Sequence, residues 1–336
     1  MQSSKSVSLA ALVLLLGLRT AAADDGAMKV SDVIKIGGAG GWDYAAVDDT
    51  HHVLYLSHGT AIASVNLGTR SVNPHFADAK GAHIALPVQD GSTILVTHGN
   101  ANEVTLNDSA SGAVPARIAT DTSPDAAILE PLTARAFVMA NRANTVDVVD
   151  LPSHAVVARI AVPGAPEAAA VDGKGLVFTH LEDKNAIAVL DAKKMALVTT
   201  YPLPGCEGPS GIAYVPQRAL ILSACRNGIA RFTDVRSGAA VVSVPIGQHP
   251  DGALVDAQRA LAFVPCGDGT LAVIRLDGAV PKSAATVTTR TGARTAALDP
   301  ATGNVYLPVA DLGAPPAPGQ RPAVVPDTFS VIVVSR

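Results

Sequence analysis

The chain has 336 residues, with 25 Lys and Arg against 29 Asp and Glu for a formal charge of −4, and it has no cluster of basic residues of the kind a general nucleic-acid surface needs. Its length exceeds one ordinary core. Aromatic residues (4 %) and charged residues (16 %) are sparse, and Gly and Pro recur at intervals, which points to many short strands joined by tight turns instead of long helices.

At the N-terminus, Lys5 precedes a short apolar stretch from Val7 to Leu18, and Ala21, Ala22 and Ala23 offer a small-residue cleavage site before Asp24. Residues 1–23 are therefore expected to be a cleaved signal peptide, and residues 24–336 a single domain that is periplasmic or secreted. The apolar stretch is shorter than the roughly 18 residues a bilayer span requires, so no membrane span is expected after cleavage. Loss of Lys5 and Arg19 with the leader would take the formal charge to about −6.

From Gly40 onward the chain repeats itself about every 42 residues, seven times, which is the signature of a repeat architecture. The copies open on GGWDYAAVD, KGAHIALPV, TSPDAAILE, GAPEAAAVD, EGPSGIAYV, QHPDGALVD and TGARTAALD. The matched position holds Asp43, His83, Asp125, Glu167, Ser210, Asp251 and Arg294, spaced 40 to 43 residues apart. Each opening leads into a strand of small residues, a turn, a second strand such as VLYLSHG or LAFVPCG, a third such as NTVDVVDL, and a short fourth such as AVVARI. Four short strands per unit of this length match a propeller blade. The expected fold is all-β, a seven-bladed β-propeller.

The last copy ends at its third strand, FSVIVVSR, while an extra strand, KVSDVIKI, precedes the first copy. The N-terminal strand is expected to complete the last blade and close the ring, leaving no unpaired edge. The insert GAPPAPGQRPAVVP in the seventh copy reads as an extended Pro-rich loop.

Several of these segments, GWDYAAVD followed by LYLSHG, PEAAAVDGKG, CEGPSG, and TGARTAALDPATGNVYLPVADLG, resemble the YVTN-repeat, YncE-like propellers exported by bacteria. The resemblance spans the whole mature chain. It implies seven blades and a periplasmic or surface location, but it implies no common reaction and no catalytic residues.

First strands line the channel of a propeller, so the matched residues are expected to ring one mouth of it. Asp43, His83, Asp125, Glu167, Asp251 and Arg294, with Trp42 beside them, are the candidate ligand-binding residues. Second strands run back to the same face and end at His58, His98, Ala140, Leu181, Cys225, Cys266 and Val309, with Asn141, Arg142, Glu182, Asp183, Asn185, Arg226, Asn227 and Asp268 in or near the following loops. Loops at one end of a rigid scaffold commonly carry function. Pro-Asp and Pro-Glu are also ordinary turn chemistry, although that does not account for His and Arg in the same slot.

His83 near Asp43 and Asp125, with His58 and His98 one shell out, is expected to furnish two or three ligands for a divalent metal, since imidazole and carboxylate suit zinc, nickel or copper. The leading reading is a non-enzymatic scaffold that binds a small polar ligand or a periplasmic protein. The rival is a hydrolase or lyase, lactonase-like and metal-assisted or acid–base, with His83 as general base and Arg294 as electrophilic stabiliser; nucleic-acid binding is a second alternative, disfavoured by the absence of a basic patch. No G-x-S-x-G elbow, phosphate loop or calcium loop is present, and GGAGGWD joins two strands instead of opening a helix. Of the three cysteines, Cys206 and Cys225 flank a hairpin that turns near Gln217 and are expected to pair as a disulfide. Cys266 is then left over, either as a half-buried small residue or as a soft metal ligand or redox-sensitive thiol.

Overall fold

The computed structural model describes residues 27–317 and 322–336, so the expected signal peptide lies outside the described residues. Seven four-stranded antiparallel sheets make up the fold, arranged as the blades of a propeller. The first blade consists of Trp42–Asp48, Val53–His58, Ala61–Asn66 and Val72–Asp78, and its pattern recurs around the ring. Among the described residues there is no α-helix, and none is long and apolar enough to cross a membrane.

The apolar runs of the second and third strands follow from packing on both faces. Leu261–Cys266 is buried at every position, as is Val305–Val309, because each blade is sandwiched between two neighbours. Outermost strands such as Lys282–Thr288 are almost wholly exposed. The largest apolar cluster joins blades six, seven and one through Leu54, Leu56, Phe263, Leu307, Phe329 and Ile332. Each such side chain contributes roughly 1.5–3 kcal/mol by leaving water.

Acidic residues that end or follow a strand hold the turns after them. Glu130 accepts the N–H groups of Leu132 and Thr133, Asp234 those of Arg236 and Ser237, and Asp299 those of Ala301 and Thr302. These carboxylates satisfy turn N–H groups that no strand partner reaches.

Blade seven is closed by the N-terminal strand, as its sequence predicts. Lys29–Lys35 pairs antiparallel with Ser330–Ser335, Val33 lying opposite Ile332, and becomes the outermost strand of that sheet. Just beyond it, the N–H groups of Ile36 and Gly37 both donate to the Phe329 carbonyl.

The ring is not uniform. First strands of blades one to five run six or seven residues, but those of blades six and seven shorten to Leu254–Asp256 and Ala297–Leu298. Near that junction the backbones of blades five and six approach so closely that a Cβ on Gly211 would lie 2.2 Å from the carbonyl carbon of Gly252. Only glycine fits there.

Candidate functional site

Each of the first five blades carries the same irregularity at the start of its first strand. In blade one Trp42 pairs with His58 and Ala45 with Leu56, so Asp43 and Tyr44 together face the single residue Ser57. The same two-against-one step places His83 and Ile84, Asp125 and Ala126, Glu167 and Ala168, and Ser210 and Gly211 at bulges. A bulge bends the strand and re-aims a side chain. The matched residues of these five blades are thus set apart from the regular ladder by backbone geometry.

Hydroxyls on the second strand take over bulge bonds that the ladder loses. Ser57 Oγ accepts the N–H of Asp43, Thr97 Oγ1 accepts that of Ile84, and Thr179 Oγ1 donates to the carbonyls of Glu167 and Ala168. The Thr295 hydroxyl adds a bond from blade seven to the Asp43 carbonyl at 2.7 Å.

At the mouth, His83 Nδ1 lies 2.7 Å from Asp43 Oδ2 and 3.2 Å from Asp125 Oδ1. These three residues come from three consecutive blades, and their ligand atoms all lie within 4.8 Å of one another. Glu167 follows on blade four, taking a bond from the Asn141 amide at 2.9 Å and a longer one, 3.4 Å, from the Tyr44 hydroxyl. Asp251 is bound by Arg294 Nε at 2.7 Å, and the Arg294 guanidinium sits 5.9 Å from the centre of the Trp42 ring.

Burial, and then the charges of neighbouring carboxylates, raise the proton affinity of Asp125, Glu167 and Asp251. Burial, with Asp43 and Asp251 adding to it against the pull of His83, pushes Asp125 up to about 7. Burial first, then Asp125 and Asp251, pushes Glu167 up to about 9. Asp251 is also raised, by burial and then by Asp43, despite Arg294. Burial disfavours the imidazolium of His83, but the Asp43 hydrogen bond and the charges of Asp125 and Asp43 outweigh it and hold the ring above its ordinary value.

The other two histidines expected as metal ligands are placed elsewhere. His58 is buried and its ring stacks on Phe329 with centroids 4.1 Å apart, where burial lowers its pKa. His98 has both nitrogens engaged: Nδ1 accepts the Lys80 N–H and Nε2 meets Thr105 Oγ1 at 2.9 Å. Of the residues expected around a metal, His83, Asp43 and Asp125 are brought together, whereas His58 and His98 are not, because the second-strand ends pack within the fold.

Trp42 is 8 % exposed, packs on Phe329, and acts on the mouth by seating Arg294. Ser210, at the matched position of blade five, is buried and donates to the Pro250 carbonyl of blade six. Cys206 and Cys225 are joined by a disulfide with Cα atoms 5.3 Å apart. Cys266 is buried, and burial with Asp268 nearby pushes its thiol up to about 12, which leaves it a protonated packing residue.

Tyr44 is the site residue that sequence reasoning passed over. Its side chain crosses from blade one to Glu167 on blade four and packs beside apolar clusters of blades three to five. The bulge column holds Ile84, Ala126, Ala168, Gly211, Gly252 and Thr295 in the other blades, so one large ring among small residues was the available signal. Towards the opposite face, Ile128, Ala169, Val171, Ile212, Tyr214 and Leu254 line an open cavity of about 500 Å³.

No family model matches the chain, and no curated protein is similar to it. Solved structures are similar in fold. Hydrazine synthase of Kuenenia stuttgartiensis aligns with a TM-score of 0.71 at 16 % identity, over 84 % of this chain and 95 % of that one. A chain in a crystal structure of the mitotic checkpoint complex aligns with a TM-score of 0.75 at 12 % identity, over 100 % of this chain and 99 % of that one. The protein is a seven-bladed β-propeller. Identities this low carry the fold alone, and propellers serve unrelated functions, so the function of this propeller has to be argued from its mouth.

Proposed function

We propose that the protein is an exported propeller of the YVTN-repeat type that acts as a binding scaffold, with the acidic mouth of its channel taking a small polar ligand that carries positive charge. The observation behind this reading is a shortage of positive partners. Asp43 and Asp125 flank one imidazole nitrogen, Glu167 is met by neutral donors, and Arg294 is taken by Asp251. A cationic group entering the mouth supplies what these carboxylates lack.

The test is a calorimetric and thermal-shift screen of untagged protein at low ionic strength, using organic ammonium and guanidinium compounds and divalent cations. Stabilisation by one of these ligands, lost in the Asp125→Asn/Glu167→Gln double variant, is the expected result. A mouth that responds to no cation of either kind ends the proposal. Export is tested separately by mass spectrometry of the mature chain, which should begin at Asp24.

The enzymatic reading draws on the His83–Asp43 pair, whose 2.7 Å bond is the arrangement of a general base and its orienting carboxylate. Two features weigh against it. Among the described residues no hydroxyl or thiol hydrogen-bonds to His83, and Arg294, its proposed partner, is already paired with Asp251.

A further inference from the structure

We infer that Asp43, His83 and Asp125 form a binding site for a divalent transition metal, zinc being the best match, with an open coordination position towards the mouth. This rests on reading the mouth as a cation site and narrows it to one class of cation.

The first argument is spacing. Around an ion with bonds of about 2.0–2.1 Å, neighbouring ligand atoms lie roughly 2.9–3.4 Å apart. His83 Nδ1 is 2.7 Å from Asp43 Oδ2 and 3.2 Å from Asp125 Oδ1, and all three ligand atoms lie within 4.8 Å of one another, so the two edges that meet at the imidazole are already near those of a bound ion. All three side chains stand on bulges of adjacent blades, which is a rigid platform for such a fit.

The second argument is an unanswered acceptor. Nδ1 of His83 can carry one proton, and the closer Asp43 receives it. Asp125 Oδ1 is a buried atom with no hydrogen-bond partner, although it lies beside that nitrogen. A metal in place of the proton binds all three atoms at once: the Nδ1 lone pair is freed for it, and the displaced proton leaves to solvent or is kept at Nε2. Two carboxylates balance the dication.

Ligand type sets the choice of metal. Imidazole nitrogen favours zinc, nickel and copper, while magnesium and calcium prefer all-oxygen shells. The protein supplies three ligands, and the side chains of Asp43 and His83 remain 23 % and 32 % exposed, so a water or a ligand donor can complete the shell from the channel. His83 is positioned from behind by Gly99, where a Cβ would lie 2.7 Å from Nε2.

The experiment uses untagged mature protein freed of metal by a chelator and titrated with cobalt(II), then with zinc. Expected are one cobalt per chain with the visible d–d bands of a low-coordinate site, displacement by zinc, and no displacement by magnesium or calcium. His83→Ala and Asp125→Asn should each weaken binding by at least about 100-fold, beyond the 10–100-fold typical of losing a second-shell partner. Gly99→Ala, which keeps every ligand but crowds the imidazole, should weaken binding and alter the cobalt bands. Absence of stoichiometric cobalt binding to wild-type protein, or binding that survives His83→Ala, overturns the inference. If cobalt does not bind while an organic cation still stabilises the protein in an Asp125-dependent way, the metal inference falls and the binding function stands.

Discussion

His83 and His180 belong to the same ring of blades, yet their surroundings are opposites. His83 stands on a bulge among carboxylates and is held above its ordinary pKa. His180 is wholly buried; its Nδ1 lies 3.0 Å from the Ser210 carbonyl and its Nε2 2.8 Å from Ser223 Oγ, and burial drives its pKa down to about 4. The carbonyl can only accept, so Nδ1 carries the proton and Nε2 accepts the Ser223 hydroxyl. This neutral clasp joins blade four to blade five. One histidine stabilises the fold by staying uncharged, whereas the other sits where charge is concentrated at some cost to the fold.

The largest effect should come from breaking the clasp. His180→Ala leaves the Ser210 carbonyl and Ser223 hydroxyl unpaired and opens a cavity, a loss of about 3–5 kcal/mol by urea unfolding. A loss below about 1 kcal/mol would remove the contrast between the two histidines. Acid should reproduce part of this loss in the wild type. Because the folded pKa lies below the unfolded one, the unfolded chain binds the proton first, and stability drains away as the pH falls from 6.5 towards 4. Over that window the loss is about 3 kcal/mol, and the acid limb should flatten in His180→Ala.

Reduction of the Cys206–Cys225 disulfide comes next. It closes a loop with a sequence separation of 19 in the same blade-five region, and opening it should cost about 3 kcal/mol. Equilibrium unfolding with and without reductant measures this. A thiol reagent should leave Cys266 unmodified in the native, oxidised protein and label it on unfolding.

How much of this contrast the sequence carries depends on what is periodic. The 40-to-43-residue spacing follows from the length of one blade, and the closing strand follows from an incomplete last copy, so the ring was legible from Asp43 to Arg294. The bulges were not, because a two-against-one step depends on register between strands and on hydroxyls such as Ser57 and Thr97 that look ordinary in a row of residues. Strand position placed His58 and His98 near the mouth, but it could not say that one would stack on Phe329 and the other would spend both nitrogens on Lys80 and Thr105. The role of His180 was illegible for the same reason: its partners come from the next blade.

The mouth should answer pH in the opposite sense to the clasp. Glu167 is raised from 4.5 to about 9, so the folded protein holds a proton that the unfolded chain has released, and stability falls as the pH rises between those values. Glu167→Gln removes the titration while keeping an acceptor for Asn141. It should leave stability near pH 4 unchanged and raise it by about 1–2 kcal/mol near pH 8.5, a discounted figure because neighbouring carboxylates share the effect. Equal gains at both pH values would mean that packing, not charge, limits this part of the ring.

Tyr44→Phe is the finest probe of the same contrast, since it changes one hydroxyl and keeps the ring that packs beside the clusters of blades three to five. The 3.4 Å bond to Glu167 is long, so its loss should cost less than about 1 kcal/mol. The informative readout is the alkaline limb. A hydroxyl that donates to Glu167 favours the carboxylate, and removing it should carry the loss of stability with rising pH further than in the wild type, until the Glu167→Gln background erases the difference. If Tyr44→Phe and wild type trace the same curve, the tyrosine serves the mouth only by packing, and the charge balance there is set by the carboxylates with His83 and Arg294.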